Sequence, residues 1–194
     1  STWANGRDAI NAIKADPTKY KMSGGGGVGG SWHLATAGLF LKLGIDPMKV
    51  PIVPSQGAAP GMQELVAGGV DFIPCSVPEA RSMIDAGKAR SLFVQGKSRI
   101  PAFPSIPTVK EAVGVEHVGG AWRAVAGPKG MPPDVTQKLA AAVEKVYNSK
   151  EFREFMDSRG FGLEWMKASD FSAFLERNYV DTGEVIKAVG LAKK

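Results

Sequence analysis

The sequence predicts an α/β protein in which helices cover a parallel sheet. Candidate strands and helices alternate through the first 117 residues, and three loops that join a strand to the next helix lie at residues 23–31, 55–60 and 74–78. In a parallel sheet the carboxyl ends of the strands share one edge, where ligands bind. We therefore expect the three loops to meet at that edge and to form the site.

Hydrophobic periodicity and breaker residues define the elements of residues 1–117. Pro17 ends a first helix that has one apolar face, and Gly44, Gly68 and Gly87 follow the next three helices. The predicted strands are 19–22, 48–53, 70–73 and 89–94, and the predicted helices are 7–15, 32–43, 61–67 and 79–86. This alternating order favours parallel pairing, since parallel strands need a crossover between them.

Residues 118–194 are predicted to form a different packing unit. The extended piece that leads into this unit contains Gly119 and Gly120, which are either a hinge or a simple bulge. His117 is interpreted as a surface or hinge residue, and Ser169 is expected to cap the last helix. The elements predicted after residue 99 are a proline-rich connection at 100–108, helices at 109–113, 133–147 and 151–159, a strand at 161–165 and a last helix from 169.

Composition excludes several classes of protein. With 44% hydrophobic and 22% charged residues, the chain has the makeup of an ordinary globular protein, and no apolar run approaches the roughly 20 residues of a membrane span. The net charge is +5, but Lys and Arg alternate with Asp and Glu, so no nucleic-acid partner is predicted. Cys75 is the only cysteine, which excludes an internal disulfide and a multi-cysteine metal site. No metal and no cofactor are expected, and Ser1-Thr2-Trp3-Ala4 does not resemble a signal peptide.

The first loop has the makeup of an anion site. A short strand leads into the glycines of residues 24–30, and a buried helix begins directly after them with Ser31 as its expected N-cap. The free N–H groups at such a helix start lie at the positive end of the helix dipole, where anions bind. A carboxylate is the preferred ligand.

Three other interpretations of the glycine run are a dinucleotide site, a P-loop and a closely packed turn. Gly24, Gly26 and Gly29 match the dinucleotide pattern G-x-G-x-x-G, but residues 50–54 contain no acidic residue to hold a ribose. A P-loop is excluded because Ser31 follows Gly30 directly, with no lysine between them. That the glycines only permit close packing of a turn stays open as an alternative.

Thirteen residues of the three loops are predicted to bind the ligand. They are Ser23, Gly24, Gly25, Gly26, Gly27, Ser31, His33, Ser55, Gln56, Gly57, Ala58, Cys75 and Ser76. The glycines would act through backbone N–H, whereas Ser31 either binds the ligand or only caps its helix. His33 is interpreted first as a structural histidine that is hydrogen-bonded to the loop backbone, with anion contact as the alternative. Gln56 either recognises a polar tail of the ligand or is a solvated loop residue.

Cys75 raises the question of catalysis. It follows a strand close to a helix start, a position where thiol pKa values fall, and a nucleophilic pair with His33 is conceivable. No orienting acid follows at a suitable place, so no catalytic residue is predicted and a non-enzymatic binding protein is the preferred hypothesis.

The order of these motifs resembles the extracytoplasmic solute-binding receptors of tripartite tricarboxylate transporters, the Bug receptor family. The matching segments are 24–34, which ends in Ser-Trp-His-Leu, and 57–60, 65–71, 84–92, 99–101, 106–112 and 122–130. The resemblance implies a periplasmic-binding-protein-like fold of type II, in which two α/β lobes with parallel-rich sheets flanked by helices close on the ligand. Residues 1–117 would be the complete second lobe, and 118–194 the crossover and the C-terminal part of the first.

The resemblance also implies a function. The protein would capture a small organic carboxylate in the periplasm and deliver it to the membrane permease subunits of a tripartite transporter, or alternatively signal occupancy to a sensor partner. Family members carry a long stretch before the segment that matches Thr2, so we expect this chain to be a fragment or a reduced variant, with a homodimer of the fragment as one further expectation.

Two departures from the family concern the ligand. Cys75 and Ser76 stand where an acidic and an amide residue are usual, and residues 54–57 replace a common Tyr-Lys-Gly. Both changes make the pocket less charged, which is compatible with a larger or more apolar acid.

Overall fold

The structure, a computed structural model, describes residues 3–192. Ser1, Thr2, Lys193 and Lys194 lie outside the described residues. The prediction that the first four residues do not form a signal peptide therefore falls partly outside them. The helices are α1 (Gly6–Ala15), α2 (Ser31–Lys42), α3 (Ala58–Ala67), α4 (Val77–Asp85), α5 (Val109–Val113), α6 (Pro133–Tyr147), α7 (Lys150–Arg159) and α8 (Ala168–Ala188). Within residues 3–192, none of the helices combines the length and the apolar character needed to cross a membrane.

A small parallel sheet lies at the centre of the first half. Strands β1 (Met22–Ser23) and β2 (Ile52–Val53) pair in parallel, with Met22 opposite Ile52 and Ser23 opposite Val53. On the other side of β1, Met22 forms a single parallel bridge with Phe72. Strand β1 is therefore the middle of three parallel segments, and the predicted α/β class is confirmed.

The first two strands are shorter than predicted. The predicted strand 19–22 is replaced by β1, which begins three residues later. The start of the predicted strand 48–53 is instead the 3₁₀ turn Pro47–Lys49, because the Asp46 side chain accepts the N–H of Met48 and Pro47 favours the start of a turn.

The predicted strands 70–73 and 89–94 are each reduced to one bridge. Phe72 pairs with β1, and Pro74 follows, which has no N–H with which to extend the ladder. Val94 pairs with Thr108, so it lies away from β1 and adds no strand to the sheet. The predicted strand at 161–165 is also wrong, since these residues lack regular structure.

Several helix starts differ from the prediction, whereas the glycine stops are confirmed. Helix α3 begins three residues before the predicted start at 61, and α4 begins two residues before the predicted start at 79. The N-cap of α2 is Gly30 and not Ser31, and the N-cap of α8 is Lys167 and not Ser169. Gly160 ends α7 with a left-handed backbone, φ 74°. A β-carbon disfavours that conformation, which explains why glycine marks helix ends reliably.

Both clusters of buried hydrophobic residues lie in the first 117 residues, whereas Val189, the C-cap of α8, is buried outside them. The main cluster comprises Trp3, Ala9, Ile10, Ile13, Met22, Phe40, Ile45 and Val50, and a smaller cluster comprises Val77, Val94 and Ile106. Helices α6, α7 and α8 contain no buried residue. Helix α8 packs against α2, the helix that follows the glycine run, and this contact connects the two halves of the chain.

Candidate functional site

The three strand-to-helix loops meet at the carboxyl edge of the sheet, as predicted. The N–H of Gly24 donates to the carbonyl O of Val53 at 2.8 Å, which joins the first loop to the end of β2. A β-carbon added to Gly24 would lie 3.4 Å from the backbone N of Ser55, and one added to Gly25 would collide with the carbonyl O of Pro74. The glycine-rich loop (residues 24–30) therefore lies between the second and third loops, with no room for side chains at its base.

The outer part of the glycine-rich loop needs glycine for its backbone and not for space. Gly26 and Gly27 have φ angles of 125° and 110°, and an added β-carbon on either would meet no atom within 4 Å. The N–H of Gly27 donates to Gly24 O at 3.2 Å, and the N–H of Gly30 donates to Gly27 O at 3.1 Å. The loop is thus two successive tight turns, and its exposed tip presents bare backbone to solvent.

His33 fixes the glycine-rich loop onto α2. Its Nδ1 accepts the N–H of Gly29 at 2.9 Å, and the residue is only 3% exposed. Burial lowers the pKa of His33, so the ring is neutral near pH 7 and carries its hydrogen on Nε2. This hydrogen bond confirms the interpretation of His33 as a structural histidine of the loop.

Helices α2 and α3 both begin with an open N-terminus at this edge. Their N-caps are Gly30 and Gly57, and among the described residues no side chain caps either end. Neither first turn contains an acidic residue, and Ser31 in the first turn of α2 is exposed. Two positive helix ends without a side-chain cap therefore follow loops at the same edge of the sheet, and helix ends of this kind favour an anion.

The N-terminus of α4, at the third loop, is occupied by a carboxylate. The side chain of Glu79 accepts the N–H of Ser76 at 3.0 Å and its hydroxyl at 2.5 Å. This reciprocal cap satisfies the helix start and adds negative charge. The structure consequently places Ser76 in a helix cap, at a terminus that disfavours a second anion.

The expectation of a low thiol pKa for Cys75 is wrong. Burial, together with the nearby Glu79 carboxylate, raises the pKa of Cys75 to about 12. The helix dipole that lowers thiol pKa values elsewhere is neutralised here by Glu79. Cys75 therefore holds almost no thiolate near pH 7, which removes the basis for a nucleophilic role.

Two of the four predicted loop serines, Ser23 and Ser55, form hydrogen bonds within their own loops. Ser23 is 1% exposed, and its Oγ accepts the N–H of Gly25 at 3.5 Å. Ser55 Oγ donates to the carbonyl O of Gly57 at 2.7 Å and so shapes the second loop. Gln56 is exposed at the tip of that loop, while Ala58 is buried. Both serine hydroxyls therefore hold the loops that carry the free N–H groups.

Gly61 is a site residue that the sequence interpretation missed. A β-carbon on Gly61 would lie 2.5 Å from Ile73 Cδ1, 2.6 Å from Ser23 Oγ and 3.2 Å from Ser55 Oγ. Its missing side chain allows α3 to approach the ends of the central strands closely. The available signal was a glycine inside an apolar helical stretch, which usually marks a close contact.

Within residues 3–192, no group of three or more His, Cys, Asp or Glu side chains is arranged to hold a metal ion.

A family model and several relatives match this chain. The model described as "Tripartite tricarboxylate transporter family receptor" matches residues 2–191. A UPF0065 protein of Bordetella pertussis is 31% identical over 185 residues, which are 95% of this chain and 56% of the relative. A UPF0065 protein of Pseudomonas sp. strain P51 is 32% identical over 152 residues, covering 78% of this chain and 44% of the relative. The chain thus spans about half the length of these curated relatives.

Solved structures share the fold. A TctC solute binding protein from Polaromonas, solved without ligand, has a TM-score of 0.79 at 29% identity, covering 96% of this chain and 62% of that one. R. palustris Rpa4515 with adipate has a TM-score of 0.78 at 22% identity, covering 98% and 62%. MatC from Rhodopseudomonas palustris with bound malate has a TM-score of 0.67 at 21% identity, with the same coverage. At these last two identities the likeness concerns the fold alone.

Proposed function

This chain belongs to the tripartite tricarboxylate transporter receptor family, and from that premise we propose that it captures a small organic carboxylate in the periplasm. The captured solute is delivered to the membrane permease subunits of a tripartite transporter. The protein acts by binding and release, without catalysis.

The observation that carries this proposal is the pair of open helix N-termini at Gly30 and Gly57. A carboxylate at this edge accepts hydrogen bonds from free N–H groups of both helices, and each helix dipole stabilises its charge. The exposed Ser31 and Gln56 lie beside these termini and supply further polar contacts.

The loops themselves are free of charge, which supports a singly charged group as the ligand. Residues 23–31, 55–60 and 74–78 contain no Lys, Arg, Asp or Glu. Recognition therefore relies on backbone dipoles, which suit one carboxylate group, whereas proteins commonly add Arg or Lys for phosphate. The adipate and malate of the two structural relatives suggest which acids to test first.

We further propose that residues 1–117 form one lobe and that 118–194 belong to the crossover and the other lobe. Both buried clusters lie in the first segment, and α6, α7 and α8 of the second segment contain no buried residue. A ligand held by the first lobe would then be enclosed when the lobes close.

Thermal unfolding of the natural full-length protein with a panel of acids tests the binding proposal. The panel contains mono- and dicarboxylates, including malate and adipate, with inorganic phosphate and sulfate as anion controls. A ligand at a hundred times its Kd should stabilise the protein by about 2.7 kcal/mol, which thermal shift detects easily. The proposal is overturned if no carboxylate stabilises the protein after bound ligands have been removed by unfolding and refolding.

A further inference from the structure

A polar cluster outside the candidate site joins α2 to the connection between the two halves, residues 117–120. The His117 cluster consists of Ala35, Thr36, Gln95, His117 and Gly119. His117 Nε2 lies 2.9 Å from the carbonyl O of Ala35 and 3.0 Å from Gln95 Oε1. Gln95 Nε2 donates to Thr36 Oγ1 at 3.4 Å, which sets the amide so that its oxygen faces His117.

These contacts fix the tautomer of His117. Both partners of Nε2 are acceptors, so Nε2 carries the hydrogen and Nδ1 keeps a lone pair. Nδ1 is buried and has no hydrogen-bond partner among the described residues. Protonation would place a second N–H in that unpartnered position, at a high desolvation cost.

Among the described residues, no carboxylate lies at hydrogen-bond distance from His117 Nδ1 to stabilise a second N–H. Helix α2 brings the Lys42 ammonium, which donates to the carbonyl O of Glu116 at 3.2 Å, and the Glu116 carboxylate is bound by Lys110 at 2.7 Å. From α8 the apolar Val185 approaches across the same face of α2. Burial lowers the pKa of His117; the hydrogen bond to Ala35 opposes this lowering, and Lys42 adds to it.

The connection itself is pressed against α2 at two glycines. The N–H of Gly119 donates to the carbonyl O of Gln95 at 2.9 Å, and a β-carbon on Gly119 would lie 2.8 Å from Ala35 Cβ. Gly120 has φ 135°, and an added β-carbon would lie 3.2 Å from the Trp32 ring. Trp32 stands in the first turn of α2, and a β-carbon added to Gly25 of the glycine-rich loop would lie 3.5 Å from Trp32 Cβ. The contacts thus run without a break from that loop to the connection.

We propose that His117 is a positioning residue. Its Nε2 hydrogen bond, shared between Ala35 and Gln95, holds the connection against α2 and thereby links the orientation of the connection to the glycine-rich loop. When this bond is intact, the connection leaves α2 in the orientation that brings the lobe of helices α6, α7 and α8 over the ligand. When His117 is protonated, the cluster opens and the carboxylate is held less tightly. This proposal rests on the proposed carboxylate binding for its functional readout, but the state of His117 can be measured without a ligand.

The experiment compares the wild-type full-length protein with His117→Gln and His117→Leu. Glutamine can still donate to both acceptors but cannot titrate, whereas leucine removes the hydrogen bond. Carboxylate affinity is measured by calorimetry at about pH 7.5 and about pH 5.5, which bracket the ordinary histidine pKa. Nitrogen-detected NMR of the imidazole gives the tautomer and the pKa of His117 in the ligand-free protein. His33 is present in all three proteins, so its own titration cancels in the comparison.

We expect acid to weaken carboxylate binding more in the wild type than in His117→Gln. We expect His117→Leu to bind the carboxylate about tenfold more weakly than the wild type at both pH values, because that is the loss that one hydrogen bond implies. NMR should show the Nε2–H tautomer with a pKa below the ordinary value. Parallel pH profiles of wild type and His117→Gln, or unchanged affinity in His117→Leu, would overturn the coupling. If no carboxylate binds at all, the proposed function fails, and the NMR result decides on His117 by itself: an Nδ1–H tautomer or an ordinary pKa refutes the cluster.

Discussion

Replacing Gly61 with alanine should destabilise the protein, although alanine is the better helix former. The added β-carbon would lie 2.5 Å from Ile73 Cδ1 and 2.6 Å from Ser23 Oγ, distances that force the buried serine or the helix to move. Overpacking of this kind costs about 1–3 kcal/mol, and the gain in helix propensity returns about 1 kcal/mol. We therefore expect a net loss of up to about 2 kcal/mol, or about 4–8 °C in Tm for a chain of this size.

Gly183→Ala in α8 is the matched control. Gly183 also lies inside a helix, but an added β-carbon meets no atom within 4 Å, so only the propensity gain remains. It should stabilise the protein by about 0.5–1 kcal/mol. Urea unfolding followed by circular dichroism gives both values. Equal stability of Gly61→Ala and Gly183→Ala would contradict the close contact at Gly61. Carboxylate affinity should fall only in Gly61→Ala, since Gly57 is the N-cap of α3.

Three further predictions concern charge. Ser31→Asp puts an acid at the start of α2, where it suits the helix dipole but repels a bound carboxylate. At about 5 Å and an effective dielectric constant of about 40 the repulsion is about 1.7 kcal/mol, which calorimetry should show as a nearly twentyfold rise in Kd. The Tm should not change, and the control Ser169→Asp on α8 should leave Kd unchanged. Alkylation of Cys75 by iodoacetamide near pH 7 should be at least about a hundredfold slower in the folded protein than in urea, because the raised pKa suppresses the thiolate; equal rates in mass spectrometry would contradict this. Hydrogen bonds from Arg99 and from Thr108 lower the pKa of Glu111 to about 2. The stabilisation from these bonds is present above the ordinary carboxyl pKa and is lost as the pH falls towards 2, so Glu111→Gln should flatten the acid limb of Tm against pH, and an unchanged limb would count against these bonds.

Local signals predicted the helices and the meeting of the loops well. Gly160 and Gly44 mark helix ends because the left-handed backbone they adopt is a property of the residue itself. The glycine run could be placed between a strand and a helix for the same reason. His33 was predicted to bind the loop backbone from its place in the first turn, and the hydrogen bond from Gly29 confirms this.

Features that depend on distant partners could not be predicted in the same way. Whether the segment around Val94 joins the central sheet is decided by its pairing with Thr108, a tertiary choice that apolar patterning does not contain. The pKa of Cys75 depends on Glu79 capping α4, and the close contact at Gly61 depends on Ser23 and Ile73. The ligand-binding roles of the loop residues stay predictions until an acid is bound.

The absence of buried residues from α6, α7 and α8 has a consequence for motion. Helices with few buried contacts open locally at low cost, so their amide hydrogens should exchange with solvent much earlier than those of α1 and the first half of α2. The half that carries the glycine-rich loop is then the slow-exchanging unit. A carboxylate bound there as proposed would rest on a rigid platform, and the helices α6, α7 and α8 would be the part that moves around it.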